Sequence, residues 1–172
     1  QMLKQWGVFA SNEVDQSDIA IASLVVGSPL GLPYEESFNA GAAQNFVWTS
    51  QQGVSIASDA SSDNDNGCAT FNGKLSNALL GLSKIAFPNA DHPILSFAHK
   101  ANKDSKATLK VYAYCPDGSR RLLKEIDYNA GNAADEWRTE KIDLVGLKSQ
   151  RYVSIQFVYD GRQDVDRVCV DA

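Results

Sequence analysis

Apolar and polar residues alternate with a period of two along most of the chain, most clearly in its second half. In residues 107–115, Leu109, Val111, Ala113 and Cys115 fall on one face and Lys110, Tyr112 and Tyr114 on the other. That is the pattern of a strand with one covered side. Residues 152–158 repeat it, with Val153, Ile155 and Phe157 opposing Ser154 and Gln156. Residues 93–100, 121–127, 137–143 and 167–171 are further strands, set apart by turn signals such as Pro116-Asp117-Gly118. In the first half, the segments 5–11, 19–26, 34–38, 45–49, 53–57 and 68–71 read the same way. Residues 77–85 are read as a strand pair or extended run, because neither a helix cap nor a 3.6-residue period is present. Residues 58–67 contain no apolar group larger than alanine and are a loop. Repeated short strands with few helical periods predict an all-β chain, an antiparallel β-sandwich.

The N-terminal pair stands apart. Residues 1–27 are expected to form a β-hairpin appendage, 28–33 a linker rich in Gly and Pro, and 34–172 the main domain. A lone hairpin is marginal in water, so this one needs a neighbour to lie on. Its aromatic-led first strand, polar turn and closing Val25-Val26 resemble the end of a fibronectin type III domain. Together with the lack of Met at position 1, this resemblance implies a segment of a longer, multidomain chain.

Length and charge limit the functions. The 172 residues are enough for one ordinary core. A net charge of -5, with the basic residues scattered apart from Arg120-Arg121, argues against nucleic acid and anionic membranes as partners. No apolar run approaches the roughly 20 residues that cross a bilayer, so membrane insertion is not expected. The first residues lack the apolar core of a signal peptide; any export signal is expected upstream or already removed. The three cysteines, Cys68, Cys115 and Cys169, have no metal-like spacing. Their apolar settings suit free buried thiols, with a bridge between Cys115 and Cys169 as the open alternative.

Candidate chemistry is sparse. In the strand at 34–38, Glu36 shares a face with Tyr34 and Phe38, so it either needs a partner or sits at an edge facing water. Asp59, Asp63 and Asp65, interleaved with Asn64, Asn66 and Gly67, offer the alternating oxygens of a calcium loop. The same composition also makes a plain solvated connector. Tyr112 and Tyr114 on an outward face, and Trp137 beside a polar stretch, can stack on sugar rings or cover the ends of the core. His92 and His99 are read as surface residues with no companion nucleophile, so no catalytic residue is assigned. Glu125, Asp127, Glu136 and Glu140 are the carboxylates from which a glycosidase pair would have to come.

Pro33-Tyr34-Glu35-Glu36-Ser37-Phe38, Trp48-Thr49 and Pro93-Ile94-Leu95-Ser96-Phe97 follow one another along the main domain. After them come Leu109 to Ala113 before Asp117-Gly118, the run 152–157 and the closing Val168-Cys169-Val170-Asp171. In that order of motifs the chain from Leu32 to Ala172 resembles the cleaved-adhesin domains of gingipain-type bacterial surface proteins and, more distantly, MAM domains. It implies a sandwich of jelly-roll type and a structural calcium ion held by Glu36 and Asp171 between the first and last strands. Family members commonly add an acidic residue after the first Phe and after the last Asp, where this chain has Asn39 and Ala172. The function it implies is that of a non-catalytic, adhesin-like module, extracellular or at the cell surface. Such a module would bind host protein or glycan beside further domains. The alternative is a carbohydrate-active enzyme or its ancillary carbohydrate-binding domain.

Overall fold

The computed structural model describes residues 2–8, 20–26, 29, 31–33, 35, 38, 48–50, 54–57, 62, 67–86 and 90–171. In chain order the strands are β1 (Met2–Val8), β2 (Ala20–Val26), β3 (Trp48–Ser50), β4 (Val54–Ala57), β5 (Cys68–Asn72) and β6 (Ala78–Ile85). They continue as β7 (Ile94–Ala101), β8 (Thr108–Tyr114), β9 (Arg120–Asp127), β10 (Arg138–Asp143), β11 (Val153–Asp160) and β12 (Arg167–Asp171). Short 3-10 turns at Tyr128–Ala130 and Val145–Leu147 are the only helical elements among the described residues.

Two five-stranded sheets form the body, one in the order β10-β7-β12-β5-β4 and the other β3-β6-β11-β8-β9. All their pairings are antiparallel. From β5 to β8, and again from β9 to β12, successive strands change sheets, so the strand alternation read from the sequence feeds two inner faces at once. Phe71, Phe97, Val168 and Val170 from the first sheet meet Leu80, Leu109, Val111, Ile155, Phe157 and Tyr159 from the second in one continuous core. Two ring pairs clasp the layers: Phe71 stacks on Tyr159 at 5.3 Å, and Phe97 meets Phe157 edge-on at 5.2 Å. Each contributes about 0.5–1.5 kcal/mol beyond area burial. The Tyr159 hydroxyl donates to the Gly73 carbonyl at 2.7 Å, which satisfies the polar tip of a buried ring.

The connection from β11 to β12 is fixed by Asp166, a buried carboxylate that accepts from the backbone N–H groups of Lys106, Arg162 and Gln163 at 2.7–2.9 Å. At the other end of the sandwich, Pro116-Asp117-Gly118 makes the expected turn between β8 and β9, with Gly118 at φ 84° and Asp117 accepting from Ser119.

Several expectations are corrected. The segment at 34–38 was expected to be a strand. Glu35 and Phe38 lie outside any strand, and Phe38 takes φ 48° while its ring is buried in the core. Residues 34, 36 and 37 lie outside the described residues. Residues 77–85 form one strand, β6, not a pair, because β3 and β11 flank it on both sides. The first strand of the hairpin starts at Met2, not Gln5, in register with Val26.

Candidate functional site

Side chains on the outer face of the second sheet follow from the inward placement of Leu109, Val111 and Ala113: Lys110, Tyr112 and Tyr114 must point the other way. Strand pairing sets them in rows. Lys84 of β6, Ser154 of β11, Tyr114 of β8 and Arg120 of β9 lie side by side, and Gly81, Gln156, Tyr112 and Leu122 form the next row. A third row holds Leu79, Val158, Lys110 and Glu125. Tyr114 is 41% exposed. Tyr112 is half-buried because the Arg120 guanidinium lies over its ring, 4.1 Å from the centroid. Lys84 covers the neighbouring Tyr152 ring in the same manner at 4.9 Å. The face therefore combines aromatic rings, amide and hydroxyl groups and cations on rigid strands.

Trp137 is elsewhere. It precedes β10 at the edge of the first sheet, where Lys100 sits 5.9 Å from its ring and is paired with Asp135 at 3.5 Å. The aromatic positions thus make one pair and one outlier. Lys84, Arg120 and Gln156 escaped the sequence reading because pairing across strands, not proximity in the chain, brings them to Tyr112 and Tyr114. The Arg120-Arg121 doublet was the one local signal, and its two members diverge, Arg121 reaching back to the Gly146 carbonyl.

Asp171 closes β12 almost wholly buried and accepts from the Ser62 N–H at 2.7 Å. That contact sets Ser62, from the stretch between β4 and β5, against the last strand. Asp59, Asp63 and Asp65, like Glu36, lie outside the described residues. Among the described residues no three His, Cys, Asp or Glu side chains converge as a metal site. Asp171 and Glu35 also line a cavity of about 390 Å³ that opens between the sheets and is walled by Leu82, Ile85, Phe97 and Ile155.

All three cysteines are buried free thiols. Cys68 and Cys169 share the Thr70 hydroxyl, at 3.4 and 3.6 Å. Hydrogen bonding to Cys169 and burial push the Cys68 thiol up, which keeps it protonated.

His92 is exposed as expected, but His99 is not a surface residue: it points inward from β7 and is 2% exposed. Its Nδ1 lies 2.8 Å from the hydroxyl of Tyr128, a phenol that burial keeps protonated. Its Nε2 faces Glu140 at 3.8 Å, too far for a hydrogen bond. Burial holds the imidazole below its usual range despite Glu140. Glu140 in turn holds Lys124 at 3.0 Å, while Glu125 lies beside Lys110 at 4.0 Å on the outer face. These two candidate glycosidase carboxylates sit on different sheets, each beside a lysine.

No protein-family model matches the sequence, and no curated protein matches it either. Solved structures do share its architecture. The K1 cleaved adhesin domain of Lys-gingipain from Porphyromonas gingivalis W83 aligns with a TM-score of 0.61 at 18% identity, over 80% of this chain and 94% of that one. A family 16 carbohydrate-binding module aligns at 0.52 and 12% identity, over 78% and 92%. The K74A mutant of the module CBM29-2, in complex with cellulohexaose, aligns at 0.51 and 16% identity, over 80% and 85%. The fold is a jelly-roll β-sandwich. At these identities the likeness establishes architecture, and function has to be argued from this chain's own side chains.

Proposed function

We propose that the chain is a non-catalytic, adhesin-like binding module of an extracellular or cell-surface protein that recognises glycans through the outer face of its second sheet. The observation that carries this reading is the paired strand rows that put Tyr112, Tyr114, Gln156 and Ser154 side by side on one solvent-facing surface. A sugar needs such a combination, a flat apolar ring to lie against and short polar groups to orient its hydroxyls. Carboxylates held beside lysines on different sheets suit binding better than glycoside hydrolysis.

The reading is tested by screening the protein on a glycan array and titrating the best ligand into Y114A. Tyr114 is exposed, so the variant keeps its melting temperature, and the loss of ring contact weakens binding by about 2- to 10-fold. Unchanged affinity in both Y112A and Y114A would exclude this face as the site. Host-protein recognition is a second reading. It is favoured by Leu32 and Ile94, which line the cavity and are 45% and 58% exposed.

The same proposal includes a calcium ion near the chain's last strand. The donors fit in kind: a buried carboxylate, Asp171, in contact with Ser62 of a sequence stretch rich in Asp and Asn, all hard oxygen ligands. Asp63, Asp65 and Glu36 are the residues that would complete the ligand set, and the ion would tie the two ends of the domain together. The β1–β2 hairpin is the end of a preceding domain resembling fibronectin type III.

A further inference from the structure

Charge on the outer face of the second sheet is unevenly distributed. In the row that carries Tyr114, Lys84 and Arg120 stand at opposite ends, three strand spacings or about 14 Å apart. Neither pairs with a carboxylate among the described residues. The face's own carboxylates, Glu125, Asp127 and Asp160, lie toward the opposite end of the strands, with Glu125 beside Lys110, Asp127 accepting from the Asn129 N–H and Asp160 accepting from the Asn77 N–H. A chain of net charge -5 thus presents two cations, unpaired among the described residues, around the most exposed of its described tyrosines.

Both cations are held in place. Arg120 lies on the Tyr112 ring and Lys84 on the Tyr152 ring. The Arg120 guanidinium, its central carbon 4.1 Å from the Tyr112 centroid, carries five N–H donors in a fork that can meet a carboxylate with two parallel hydrogen bonds. Stacking also covers the Tyr112 ring, which removes it as an open platform for an uncharged sugar and leaves Tyr114 as the ring for that contact. Between the cations, Ser154 and Gln156 supply neutral hydrogen-bonding groups suited to hydroxyls.

We infer that this face takes an acidic polysaccharide, a chain of uronate sugars whose carboxylates are met by Arg120 and Lys84 while Tyr114 lies against a ring between them. The inference rests on the reading of this face as a glycan site and narrows it to a charge class. It is tested with polygalacturonate, its fully methyl-esterified form, a neutral β-galactan and poly-glutamate, each titrated at low and high salt. Polygalacturonate is expected to bind best, esterification to weaken binding at least tenfold, and added salt to weaken only the acidic ligand. R120A and K84A should each lower polygalacturonate affinity about tenfold. R120K should recover only part of the loss, because an ammonium cannot make the paired contact. Both positions are solvent-accessible, and a melting curve for each variant verifies folding independently of binding.

Equal affinity for acid and ester would overturn the acidic-ligand inference and leave the glycan reading standing. Equal affinity for poly-glutamate and polygalacturonate would overturn it as well, since charge alone would then be recognised. Binding of none of the three sugars, with Y114A silent on the glycan array, would overturn both.

Discussion

At the scale of single residues, His99 shows what a buried polar group costs and how the cost appears. The imidazole is neutral in the fold because burial disfavours its charged form, and Tyr128 is the partner that makes its position tolerable. In the unfolded chain the same group takes up a proton near its ordinary value of 6.5. The unfolded state therefore binds more protons as pH falls through 6.5 toward the depressed folded value, and stability declines in that window. Urea midpoints measured from pH 7.5 downward should fall through this range, and H99Q, which retains a hydrogen-bonding group, should flatten the slope. A slope identical in the variant would show that His99 is not its source. Nothing in the sequence distinguished this histidine from an exposed one, because its partners Tyr128, in a 3-10 turn, and Glu140, in β10, arrive from 29 and 41 positions away.

Elements were far more legible than residues. The segments 107–115, 152–158 and 167–171 match β8, β11 and β12 to within two residues at each end, since alternation over several residues reports burial on one face directly. Failure came where the pattern was too short. The run from Glu35 to Phe38 contains a buried aromatic and a positive φ, which no apolar count reveals. The 3-10 turns at Tyr128–Ala130, capped by the Asp127 carboxylate, and at Val145–Leu147, where Asp143 accepts from the Val145 N–H, were likewise below the length at which a period can be read. Between elements, Gly161 links β11 to β12 where a side chain has no room. A Cβ there would run into the Gly73 carbonyl and the Tyr159 hydroxyl. G161A should accordingly lower stability by about 1–3 kcal/mol in urea denaturation, an overpacking cost. An unshifted midpoint would mean that the β5–β6 turn yields freely.

For the whole molecule, the proposals converge on how the ends of the domain are closed. Asp171 in the last strand accepts from Ser62, which lies between β4 and β5 in the chain, and the calcium proposal adds an ion to that closure. An ion present at about 100 times its dissociation constant raises stability by about 2.7 kcal/mol. For a chain of 172 residues that is roughly 5–10 °C in melting temperature. Melting curves in calcium and in chelator should differ by this amount in the parent protein and coincide in D171N. Coincident curves in the parent would remove the ion from the account. Net charge, also a property of the whole chain, concealed the surface: -5 overall says nothing about two cations gathered on one face.

Strand identity, the polarity of each face and the choice of a two-layer β architecture are local consequences of side-chain period, so the amino-acid order was sufficient for them. Which strands become neighbours is not local. Pairing of β11 with β6 and β8, and of β8 with β9, brings Lys84, Ser154, Tyr114 and Arg120 into one row from positions as far as 70 residues apart, and pairing of β12 with β5 and β7 buries Asp171. Hydrogen-bonded register depends on the cooperative packing of both sheets. For that reason the binding face had to be read from the folded molecule.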